Sequence, residues 1–111
     1  MRGEFIDPGA MRHELVLEEA VLSPDGAGGH SENWIEIALF FGRVEPVSAV
    51  SRFGADQTLE SVTHRVTIRF RDGVTAGMRL RRAGRFLVIV TVHDPDETKR
   101  YLVCRARERL P

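Results

Sequence analysis

The sequence predicts an all-β fold: a small antiparallel β-barrel or sandwich of about six strands, with one long projecting loop and little helix. Three observations predict it. Short apolar runs scan at period two, turn signals built from Gly, Pro and Asp separate them at intervals of ~8–15 residues, and helical periodicity is minor. The chain has 111 residues and a mass of 12.5 kDa. One domain of this size hides roughly 65% of its unfolded surface, enough for one modest core. Hydrophobic residues make up 42% and charged residues 29%, a globular balance that excludes a disordered tail. No apolar run approaches the ~18 residues of a membrane span. The single cysteine, Cys104, forbids an internal disulfide, so a stapled secreted mini-domain is excluded and the reducing cytosol suits assembly.

Residues 1–10 have no periodicity and precede a second methionine, Met11, so they read as a vector-derived leader ahead of a single domain at 11–111. Residues 13–22 have some helical appeal, yet Leu15, Leu17, Glu19 and Val21 also alternate with Val16, Glu18 and Ala20. Ser23–Gly29 is a hairpin-like connection. Trp34–Val47 carries Ile35, Ile37, Leu39 and Phe41 on one side and Trp34, Ala38 and Phe40 on the other. Apolar residues on both sides predict burial of both faces or a bend, which Gly42 would supply, and Pro46 ends the pairing.

The stretch 48–60 is small and polar without a period, a projecting loop long for so small a domain. Val62–Arg71 alternates cleanly, with Val62, Val66, Ile68 and Phe70 inward and Thr63, Arg65, Thr67, Arg69 and Arg71 outward. Asp72-Gly73 is a tight turn. Met78–Arg82 is a short strand, Ala83-Gly84 turns it, and Phe86–His93 returns as a strongly apolar strand. After the Asp94–Glu97 turn, Tyr101–Arg107 is the last strand, with Leu102, Cys104 and Ala106 opposite Val103, Arg105 and Arg107.

Catalytic constellations are nearly absent. His13, His30, His64 and His93 lack partners at metal-ligand spacing, and His64 reads as a satisfied strand-end residue. Asp94, Asp96 and Glu97 resemble half a calcium loop without the distal Glu, so they read as a polar turn. Cys104 lies on an apolar face, as a core residue and not a nucleophile. Gly26, Gly28 and Gly29 do not lead a strand into a helix, as a dinucleotide site requires. No enzyme, metal or cofactor is expected.

Charge is more informative. The net charge is zero, yet residues 1–60 hold 4 basic and 11 acidic side chains and residues 61–111 hold 12 and 5, giving −7 and +7. Such halves can meet head to tail between copies, turn one face toward a polyanion, or neutralise each other inside one fold. The candidate interface residues are Arg65, Arg69 and Arg71 on one strand and Arg79, Arg81 and Arg82 in the next hairpin, where Arg85 clusters with them. A basic sheet face also suits phosphates, so a small β-barrel nucleic-acid-binding module is the alternative function. Interleaved aromatics for base stacking are missing from that face.

The succession Phe40-Phe41-Gly-Arg-Val-Glu45 after Trp34, then His64-Arg-Val-Thr-Ile-Arg-Phe-Arg71, then Asp72 to Arg79, Gly84-Arg-Phe-Leu-Val-Ile89 and Val92 to Asp96 resembles the head–tail joining proteins of long-tailed phages. Prophages and gene transfer agents carry such proteins too, and the likeness spans Met11 to about Arg107. It implies a structural virion component, a head-closure or stopper connector. Such a protein forms a homo-oligomeric ring, hexamer or dodecamer, beneath the portal or adaptor. A tail terminator or tail tube protein lies below, and double-stranded DNA passes through the channel. The ring retains packaged DNA and offers the tail a platform; an assembly chaperone absent from the finished particle is a further possibility. The implied location is the head–tail interface of a virion or phage-like particle, assembled in the bacterial cytoplasm, with no membrane. By position, the 48–60 loop would be the lumen or gating loop, through Val50, Ser51, Arg52, Phe53, Gly54, Ala55 and Asp56.

Overall fold

Period-two sequence becomes strand wherever one face can be buried, and here six such strands close on themselves. The computed structural model describes residues 6–47 and 62–109. The strands are β1 (His13–Pro24), β2 (His30–Pro46), β3 (His64–Arg69), β4 (Arg79–Arg82), β5 (Arg85–His93) and β6 (Tyr101–Arg109), preceded by one 3-10 turn at Pro8–Ala10. They form a closed antiparallel barrel in the order β1-β2-β3-β6-β5-β4, with β1 pairing β4 to complete the circle. Of the two architectures predicted, the barrel is the one adopted. Residues 13–22 are strand throughout, and the helical reading fails because Leu15 and Leu17 both point into the core.

The interior is filled by Leu15 and Leu17 of β1, Val66 and Ile68 of β3, Leu80 of β4, Leu87 and Ile89 of β5, and Leu102, Cys104 and Ala106 of β6. Phe40, Val44, Phe70 and Val92 pack around them. Each fully buried aliphatic side chain contributes about 1.5–3 kcal/mol. Thr67 was read as outward, and by register it is, yet it is buried, as is its cross-strand neighbour Val103. The sheet's outer surface there lies between the Arg65–Arg105 and Arg69–Tyr101 pairs, whose long side chains stand on either side.

Two turns and one close approach explain the local sequence. Ala83 and Gly84 both have positive φ (51° and 79°), the two-residue hairpin geometry that matches strand twist. Gly42 is buried where β2 passes from β1 to β3; a Cβ there would lie 2.8 Å from the Thr67 carbonyl oxygen and 2.9 Å from Leu15 Cδ1. Its role is close backbone packing. The ladder irregularity expected near Gly42 lies instead at Leu17/Glu18 opposite Ala38 and Glu36, where Ile37 is the extra residue.

The expectation that both faces of the Trp34–Val47 strand are buried is overturned. Ile35, Ile37, Leu39 and Phe41 are 46%, 41%, 54% and 52% exposed. Leu39 and Phe41 lie on the barrel's outer face, since Phe40 between them packs on the core opposite Leu15. Ile35 is exposed for another reason: β4 pairs β1 only along Val16–Glu18, and β3 pairs β2 only from Gly42 onward. Beyond those points, among the described residues, β1 and β2 bond only to each other, so Glu19–Pro24 and His30–Ile35 leave the barrel as a two-stranded arm roughly 20 Å long. The predicted loop at 48–60, with Val50–Asp56, lies outside the described residues.

Candidate functional site

Chemistry offers little to build on. Among the described residues no group of three or more His, Cys, Asp or Glu side chains is arranged to hold a metal ion. Cys104 is buried in the core, and burial pushes its thiol up to about 12. His64 stands at the start of β3 with Nδ1 2.9 Å from Thr63 Oγ1, and burial lowers its pKa, outweighing the Glu108 charge. Both oxygens of Asp94 are occupied: Oδ1 accepts from the Asp96 and Glu97 amides at 3.3 and 2.8 Å, and Oδ2 from Lys99 at 2.7 Å. That carboxylate organises a polar turn in which Glu97 and Lys99 take positive φ.

Surface chemistry is richer, and it begins where the arm leaves the barrel. Glu18, the last β1 residue paired to β4, is buried with both oxygens bound: Oε1 accepts from Arg79 Nε at 2.6 Å and Oε2 from Arg81 Nε at 3.0 Å. Burial alone would raise its pKa, but the hydrogen bonds and charges of the two arginines prevail and hold it below the usual carboxylate value. Arg81 reaches on to Glu36 of β2 at 3.3 Å. The Arg79 guanidinium lies between two rings, 4.1 Å from the Trp34 centroid and 4.0 Å from Phe86. One cluster thus ties both arm strands to β4 and β5. A two-stranded ribbon is marginal alone, so its root needs such a fastening.

The arginines singled out from sequence therefore divide. Arg79 and Arg81 are committed within the chain to Glu18 and Glu36. Arg82 is half-buried at the end of β4, and Arg65 is half-buried opposite Arg105. Arg69 and Arg71 are exposed, and the Arg71 guanidinium sits 5.7 Å from the Phe40 ring. Arg85, of the same hairpin cluster, holds Glu108, its Nη2 2.7 Å from Oε1.

Sequence reasoning missed the exposed apolar residues, which are Val21, Leu22, Ile35, Ile37, Leu39 and Phe41. For the four in β2 the signal is the double apolar pattern of 34–41, which by itself reads as burial of both faces or a bend. At the foot of the arm, where β3 ends beside β2, Phe40, Phe41, Phe70 and Met11 line an open groove of about 570 Å³, with Arg69 and Arg71 at its rim. The arm itself is acidic: from Glu19 to Ile35 there are three carboxylates, Glu19, Asp25 and Glu32, and no Lys or Arg. The chain thus presents an acidic, apolar projection and a basic, apolar groove.

No match is found among curated proteins. Among solved structures, the chain is similar to one in the virion of a native gene transfer agent particle, with 28% identity and a TM-score of 0.67 over 90% of this chain and 96% of that one. It is also similar to protein SF1141 from Shigella flexneri 2a, with 25% identity and a TM-score of 0.66 over 91% and 96%. The family model described as phage head completion protein matches residues 6–109, so the chain belongs to the phage head completion protein family.

Proposed function

We propose that this protein is a head-closure connector: a ring-forming component that sits beneath the portal or adaptor, retains packaged double-stranded DNA and gives the tail its attachment platform. It makes and breaks no bonds; its work is multivalent binding. The observation that carries this reading is the division of one subunit into an acidic, apolar arm and an arginine-rimmed groove, two different surfaces of the kind a head-to-tail contact requires. Membership of the head completion family and the likeness to a chain in a gene transfer agent virion support its place in a particle. Weak single contacts suffice in a ring, because closure makes the last contacts intramolecular.

The test is a particle-producing cell in which the chain is deleted. Heads are expected to package DNA, lose it on purification and remain tailless, with at least a tenfold fall in nuclease-protected DNA. Tailed, DNA-retaining particles in normal yield would overturn the proposal. A second reading, a small β-barrel nucleic-acid-binding module, draws on Arg65 standing directly opposite Arg105 on the barrel's outer face. That reading requires a DNA affinity of the isolated chain that falls steeply with salt.

A further inference from the structure

We propose that the β1–β2 arm of one copy docks in the Phe40–Phe41–Phe70 groove of a second copy, with Val21 and Ile35 on the aromatic residues and Glu19, on the same face of the arm, meeting Arg69 and Arg71. The inference rests on the ring reading above and names the surfaces that would make the ring.

Complementarity between two parts of the same chain is the ground for choosing a second copy as the occupant. Past the Glu18 cluster the register puts Glu19 opposite Ile35, and Val21 shares their face of the arm; all three are exposed. Glu19, Arg69 and Arg71 have no ion-pair partner among the described residues, and three phenylalanine rings line the groove beside the two arginines. Apolar meets apolar and acid meets base if arm and groove come together. They do not meet within one chain. β3 ends beside the foot of β2, so the groove lies at the root of the arm, with the straight ladder of Glu19–Pro24 against His30–Ile35 between it and the tip.

Strand edges point the same way. Among the described residues, one edge of Glu19–Pro24 and one edge of His30–Phe41 have no neighbouring strand in the sheet, and open edges with exposed apolar side chains invite a protein partner. Because arm and groove are distinct patches, the contact is heterologous, and repeating it closes a ring or extends a filament.

The experiment reverses charge on each side and then combines the two reversals. One variant is Glu19→Arg; the other is Arg69→Glu with Arg71→Glu. Each replaces the wild-type chain in particle-producing cells, and its abundance in purified particles is read by quantitative mass spectrometry. Each alone is expected to fall at least tenfold. Co-expression is expected to restore incorporation to within about twofold, since alternating copies then match every arm to a groove. Wild-type abundance of either variant alone, or no rescue on co-expression, overturns the docking. Should a charge variant fail to fold, a chain carrying Val21→Cys and Phe41→Cys replaces it. A ladder of disulfide-linked oligomers in oxidised particles is then expected, and its absence overturns the docking. Absence of the wild-type chain from particles would overturn the connector reading itself, an outcome distinct from normal incorporation of the variants.

Discussion

Glu18 shows what a single residue does in this fold. Its carboxylate is buried, so without partners it would be costly, and Arg79 and Arg81 make it favourable by meeting both oxygens. The partners are 61 and 63 residues away along the chain, brought near only because β4 closes the barrel on β1. Glu18→Gln keeps the shape but loses the charge, and it is expected to cost about 2 kcal/mol at neutral pH in denaturant unfolding. The pH dependence has a defined sign. Folding lowers the Glu18 pKa below its ordinary 4.5, so its stabilisation is present above that value and is lost as pH falls through the folded pKa. The gap between wild type and Glu18→Gln should therefore shrink below about pH 4.5. A gap unchanged between neutral pH and strong acid would contradict the assignment.

Element by element, most of the fold was legible. All six strands were anticipated within a few residues, because alternation such as Val66, Ile68 against Arg65, Arg69 has no other economical reading. The Ala83-Gly84 hairpin was legible from its turn chemistry. What escaped was the environment of each strand. An apolar side chain facing outward, such as Leu39 or Phe41, looks the same in sequence whether its own fold or another chain covers it. Likewise the candidate arginines shared one composition, and only barrel closure separates Arg79 and Arg81, held by Glu18, from Arg69 and Arg71 at the groove. Gly42 tests the packing of elements directly. A methyl group there would press on the Thr67 carbonyl and on Ile68 Cγ2, at 2.8 and 2.9 Å, and backbone does not yield readily. Gly42→Ala is expected to destabilise by about 2 kcal/mol, measured by chemical denaturation; an unchanged midpoint would show that β2 and β3 are not held this closely.

At the scale of the whole molecule, neutrality conceals polarity. The −7 and +7 halves of the sequence neutralise each other only in part inside the fold, where Arg79 and Arg81 meet Glu18 and Arg81 meets Glu36. The remainder is distributed as an acidic arm and a basic groove rim, a pattern suited to a chain that completes its surface with copies of itself. Tail attachment and DNA retention follow in this account from closure of that ring. Counting copies in purified, tailed, DNA-filled particles by quantitative mass spectrometry against the portal protein tests this most directly. The account predicts a fixed ratio equal to one closed ring per particle. A chain absent from finished particles, or present in variable numbers unrelated to the portal, would contradict it.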